Sequence, residues 1–247
     1  MLRKIARAGI IVLSLLIAAC GGASSKGAAD KADQNEQLSV GERANDPNVI
    51  APTDMVMGEK DAPVTVFEYA SVTCPHCAAF HHDMLPTIKK DYIDTGKIKL
   101  VFREFPTPPQ ALSVAGSMIA RCAADKGGPD AYFAVVGALF TTQRVWVVGD
   151  NPKFELQKIA AQAGMDEAAF NACIQRQDLV DLINKNVSEG HDRFGINGTP
   201  TFVVNGEALE VRTIDELTTK LDKAYAAATG QSGAAAPSDA GGSAPSQ

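Results

Sequence analysis

Cys74-Pro75-His76-Cys77 directly follows an apolar run, Val64 to Tyr69, and opens a stretch that reads as helix. A strand that delivers a Cys-x-x-Cys pair to a helix start restricts the fold more than any other feature of the chain. Unpaired N–H groups and a partial positive charge gather at a helix N-terminus, which favours a thiolate at Cys74. The thiolate is the species that attacks disulfides. The expectation is a redox dithiol with Cys74 as nucleophile. Two alternatives stay open: half of a zinc site and an inert structural disulfide. Structural zinc usually takes a second Cys pair or a matching His cluster. His81 and His82 lie one turn along, but no second pair follows.

The residues between the cysteines fit this chemistry. Pro75 suits a first helical turn, where its missing N–H would be unpaired anyway. His76 is expected to bring an imidazole edge near the Cys74 sulfur. Cysteine pKa values of about 3.5 to 7.5 occur at such sites, and each unit is worth about 1.4 kcal/mol. A stabilised thiolate makes the disulfide form oxidising. Glu68 sits inside the apolar strand, where a carboxyl group is costly to bury. It is expected to lie beneath the dithiol and relay the Cys77 proton, the alternative being a strand-edge glutamate facing water.

Val66-Phe67-Glu68-Tyr69 with Cys74-Pro75-His76-Cys77 resembles the DsbA-like branch of the thioredoxin superfamily. Gly198-Thr199-Pro200-Thr201-Phe202-Val203-Val204-Asn205-Gly206 carries the same resemblance, which extends over roughly residues 50 to 228. It implies an α/β thioredoxin fold with an inserted all-helical subdomain. It also implies an exposed Cys74 nucleophile, a buried Cys77, a tuning His76, and a cis-proline at Pro200 facing the dithiol. Thr199 would then present its backbone to an incoming peptide. Family oxidases commonly carry valine before this proline, and threonine is frequent in isomerases and reductases. Thr199 therefore leaves the direction of electron flow open.

The implied activity is thiol–disulfide exchange with cysteine-containing protein clients, as an oxidase, with no metal or organic cofactor. A membrane redox partner would regenerate the disulfide. An isomerase or reductase is the second reading. A chaperone or metal-binding protein on the same scaffold is the alternative from another class.

Arg3, Lys4 and Arg7 precede an apolar run, Ile10 to Ile17, too short to span a bilayer. Residues 1–19 therefore read as a signal peptide. Leu16-Ile17-Ala18-Ala19-Cys20-Gly21 resembles a bacterial lipobox, with Cys20 the acylated N-terminus of a lipid-anchored protein on the periplasmic side of the cell envelope. An ordinary secretory signal is the alternative, and both lead to an oxidising compartment. Losing the signal takes the net charge from −6 to −9, which disfavours nucleic acid as a partner. A monomer is expected.

Residues 20–50 read as a flexible tether and 230–247 as a disordered tail, leaving a domain at 51–229. Within it the expected order is strand, a helix from Pro75 to about Thr95 kinked at Pro86, and a strand Ile98 to Phe105. Helices from about Gln110 to Glu189 follow, then a hairpin at Asn205-Gly206 and a helix capped by Thr213. Trp146 and Phe140 read as core, and His191 as solvated. Cys122 and Cys173 remain, on apolar helix faces. The expectation is a structural disulfide, against two buried free thiols. Its loop of about 50 residues would be worth roughly 4 kcal/mol in the chain-entropy model. It should resist mild reductants, being buried and without a neighbour that stabilises a thiolate.

Overall fold

The computed structural model describes residues 48–231. At its centre lies strand β2 (Val64–Ala70), buried along its whole length. It pairs in parallel with β3 (Ile98–Glu104) on one side and antiparallel with β4 (Thr201–Val204) on the other. A short strand β1 (Met55–Met57) pairs antiparallel with the outer edge of β3, and β5 (Glu207–Leu209) with that of β4. The sheet order is β1-β3-β2-β4-β5. The β4–β5 turn is Asn205-Gly206, both at positive φ, as a two-residue hairpin of this hand requires.

Period-two alternation divides β2 between two cores. Val64 and Val66 pack with Phe80, Ile88, Leu100 and Phe202, whereas Phe67 and Tyr69 face Val101 and Val203. Glu68 falls on the Val64–Val66 face.

The first helical run, α1, is built from α-helical Pro75–Ala79, Phe80–Met84 in i→i+5 turns, α-helical Leu85–Ile88, and Lys89–Ile93 again in i→i+5 turns. The irregularity expected at Pro86 is a widened turn just ahead of it, closed by the Leu85 N–H donating to the Phe80 carbonyl. A wider turn absorbs the donor that proline lacks without a sharp kink.

Five helices fill the connection between β3 and β4: α2 (Gln110–Thr141), α3 (Gln143–Val148), α4 (Pro152–Gln162), α5 (Glu167–Cys173) and α6 (Gln177–Phe194). Gly128, at φ 63° just before Pro129, breaks α2 into two lengths. The insert extends to Phe194, beyond the expected Glu189, and stops where Gly195 takes a left-handed conformation. Trp146 and Phe140 are core residues, and His191 is exposed. Helix α7 (Ile214–Thr229) closes the chain behind a capping box in which Thr213 and Glu216 bind one another's backbone N–H.

A buried ionic hub joins insert to sheet. Glu104, at the end of β3, accepts from Arg121 Nε and Nη2 at 2.6 Å each, from the Tyr132 hydroxyl at 2.7 Å and from Asn186 Nδ2 at 2.7 Å. The remaining Arg121 arm donates to the Thr53 carbonyl. Every lone pair of the carboxylate is thereby engaged, the condition under which a buried charge is tolerated.

Candidate active site

The chain leaves β2 at Ala70 and turns through Ser71-Val72-Thr73 into α1. Five hydroxyl and amide groups hold that turn. Ser71 Oγ lies 2.9 Å from Thr73 Oγ1 and 2.8 Å from Ser113 Oγ, and accepts from the Thr107 N–H at 3.1 Å. From the insert, Gln143 Nε2 donates to the carbonyls of Val72 and Cys74, at 2.9 and 3.0 Å. Cys74 is the N-cap and Pro75 the first helical residue, so the sulfur sits where backbone N–H groups are unpaired.

Cys74 and Cys77 are free thiols. Cys74 retains 7% of its exposure and Cys77 none. The open nucleophile expected from the resemblance is thus a nearly buried one, because the segment carrying Pro200 lies against it. Cys74 Sγ donates to the Thr199 carbonyl at 3.3 Å, and the Thr199–Pro200 peptide is cis. The bond between Pro108 and Pro109 is also cis. Thr199 Oγ1 is buried with no hydrogen-bond partner among the described residues, which leaves its hydroxyl available to an ionised sulfur.

The two thiols diverge in acidity. Cys74 is lowered to about 5, first by hydrogen bonding from the Cys77 thiol. Burial opposes this; the Thr199 side chain and the backbone N–H groups of Cys77 and His76 add to it. Cys77 is pushed far up, first by burial and then by Cys74 and the Glu68 charge. His76 acts on the sulfur through its backbone; its exposed side chain lines a cleft of about 590 Å³ with Phe80, Met84, Thr199, Pro200 and Val211.

Glu68 is wholly buried, and the water-facing alternative does not apply. Its carboxylate meets His81 Nε2 at 3.0 and 3.2 Å. From the sequence His81 stands out only as a zinc candidate. The signal that identifies it is its spacing, four residues after Cys77 and hence on the same helix face. Gln143 carries no such signal, since a contact with residues some 70 positions away leaves no periodic trace. Among the described residues no group of three or more potential metal ligands is present.

Away from this site, Cys122 and Cys173 form a disulfide with Cα atoms 6.1 Å apart. The expectation that it lacks a neighbour able to stabilise a thiolate needs correction: Arg176 Nη1 lies 3.9 Å from Cys122 Sγ, although Asp125 and Asp178 also pair with that guanidinium. Cys20 lies outside the described residues.

A family profile described as Thioredoxin matches residues 50–223. A Rickettsia conorii protein, provisionally named as a protein-disulfide oxidoreductase, is 34% identical over 171 residues, covering 69% of this chain. This chain spans only 60% of that relative's length. Disulfide bond formation protein D of Bacillus subtilis is 28% identical over 182 residues, 68% of this chain and 75% of that protein. The crystal structure of Wolbachia pipientis alpha-DsbA1 superposes with a TM-score of 0.68 at 30% identity, covering 76% of this chain and 98% of the other.

Proposed function

We propose, on the premise that this chain belongs to the DsbA-like branch of the thioredoxin family, that it exchanges disulfides with cysteine-containing protein clients outside the cytoplasm, as an oxidase. The observation that carries this reading is the divergence of the two thiols, Cys74 lowered to about 5 and Cys77 driven the other way. A client thiolate attacks Cys74 in the disulfide form and displaces Cys77. A second client thiol then displaces Cys74, which leaves readily as a thiolate. Relative to an ordinary cysteine at 9.0, that thiolate stabilises the dithiol by about 3 kcal/mol at pH 7. For a two-electron couple this raises the potential by about 60 mV.

Thr199 favours the second reading, an isomerase or reductase, by residue type alone: threonine before this proline resembles those enzymes, whereas the family's oxidases commonly carry valine. Equilibration of Cys74–Cys77 with glutathione separates the two. An oxidase is expected well above about −180 mV, near about −120 mV; a value near about −180 mV favours the isomerase, and one near about −270 mV, the range of thioredoxin, favours the reductase, and either overturns the oxidase reading.

Lipid attachment at Cys20, a monomeric state and reoxidation by a membrane partner belong to the same proposal. Among the described residues no helix is long and apolar enough to cross a membrane. The anchor predicts a membrane-bound wild type released by Cys20→Ser. A wild type with an intact thiol at residue 20, recovered wholly in the periplasmic extract, sinks it.

A further inference from the structure

Cys77 cannot be displaced from the disulfide as a bare thiolate without a proton donor at hand. It is fully buried, and burial together with the nearby Glu68 charge disfavours its ionised form. A leaving thiol of high pKa leaves slowly unless it is protonated as the bond breaks. Two titratable groups act most strongly on Cys77: Cys74, which is bonded to the client during this step, and Glu68.

Among the described residues Glu68 has one hydrogen-bonding partner for its two oxygens, His81 Nε2. Both side chains are shut in: that of Glu68 is 0% exposed and that of His81 7%. The imidazole is clamped by aromatic rings, with Phe140 of α2 at 4.2 Å between centroids, Phe80 of α1 at 5.5 Å and Phe102 of β3 at 6.0 Å. No charge reaches the pair from those rings. Tyr132 is also within electrostatic range of Glu68, but its hydroxyl is committed to Glu104. A fully buried carboxylate is tolerated only with a hydrogen-bonding partner, and among the described residues the His81 imidazole fills that place.

We propose that His81 is the positioning partner through which Glu68 gains and loses protons, so that Cys77 is served by a Glu68–His81 pair rather than by the carboxylate alone. The inference rests on the disulfide-exchange reading above and deepens it. When a client thiolate attacks Cys74 Sγ, the client–Cys74 bond forms, the Cys74–Cys77 bond breaks, and its electron pair stays on Cys77 Sγ. That sulfur takes the pair's proton, and His81 recovers one from water at its exposed edge. A second client thiolate then attacks the client sulfur and releases Cys74 as a thiolate. The client dithiol has lost two electrons and the protein disulfide has gained them. In reoxidation the same pair accepts the Cys77 proton.

The test is single-turnover reduction of the disulfide form by reduced dithiothreitol, quenched by alkylation, in wild type and His81→Gln. Glutamine keeps a donor for Glu68 but cannot exchange a proton. Opening in His81→Gln is expected about 100-fold slower, the lower range of general acid–base contributions. Rates within twofold of wild type overturn the assignment of His81. A wild type that exchanges no disulfide with dithiothreitol overturns the underlying reading instead. Should His81→Gln fail to fold, 15N NMR of histidine-labelled wild type gives the answer. His81 is expected to differ in protonation between disulfide and dithiol forms at one pH between 5 and 8. Identical protonation throughout that range overturns the proposal.

Discussion

Cys74 Sγ donates to the carbonyl oxygen of Thr199 at 3.3 Å, joining residues 125 positions apart across the mouth of the site. The nucleophile's environment is therefore shared between a helix start and a distant loop, and substitutions in either should register at the sulfur.

The first expectation concerns pH. A folded pKa near 5 against 9.0 stabilises the reduced protein fully above pH 9, and the benefit is lost as pH falls through 5. Urea unfolding of dithiol and disulfide forms should show the dithiol gaining about 2 kcal/mol between pH 5 and pH 7 relative to the disulfide. Parallel curves with no pH dependence in that interval rule out an ionised Cys74.

Thr199→Val removes the hydroxyl that stands ready for the thiolate. A hydrogen bond to a charged group is worth about 1.5–3 kcal/mol, so the Cys74 pKa should rise by about one or two. Thiolate absorbance at 240 nm against pH reads this directly. An unchanged titration would mean that the Thr199 hydroxyl points elsewhere in the reduced protein.

Gln143→Leu leaves the Val72 and Cys74 carbonyls without their buried donor. Each unsatisfied group costs about 1–3 kcal/mol. The variant should lose about 2–4 kcal/mol in urea, more in the dithiol form if the Cys74 turn loosens. A loss below about 0.5 kcal/mol would show that water replaces the amide.

Arg121→Met strands the Glu104 charge and should cost about 3–5 kcal/mol, whereas Glu104→Gln with Arg121→Met should recover part of that loss. Strict additivity in the double-mutant cycle argues against a shared hub.

The Cys122–Cys173 bridge should survive reductant that opens Cys74–Cys77. A thiol from solvent meets half-buried Cys122 first and must expel Cys173, which is buried beside the Met118 carbonyl. Differential alkylation followed by mass spectrometry tests this. Labelling of Cys173 at the same rate as Cys77 counts against it.

What the sequence reveals follows the range of the forces involved. The Val64 to Ala70 strand, the Asn205-Gly206 turn and the Thr213 cap are local chemistry and stand at or within a residue of their expected places. Strand β1 escapes notice because three residues, Met55–Met57, are too few for any period to show. The i→i+5 turns of α1 depend on packing around Pro86 rather than on composition. The near-burial of Cys74 and the grip of Gln143 arise from segments brought together only by the finished fold. Glu68 was visible as an oddity in an apolar strand; its partner His81 required only the four-residue spacing from Cys77.

The Glu104 hub also has a meaning for how the molecule comes apart. Four donors from β3's neighbours in α2 and α6 converge on one carboxylate, so helices and strand cannot separate without exposing a desolvated charge. The helical insert is therefore no independently opening lid over the thiols. It should melt with the sheet in one cooperative transition, and hydrogen exchange at Arg121 and Asn186 should require global unfolding.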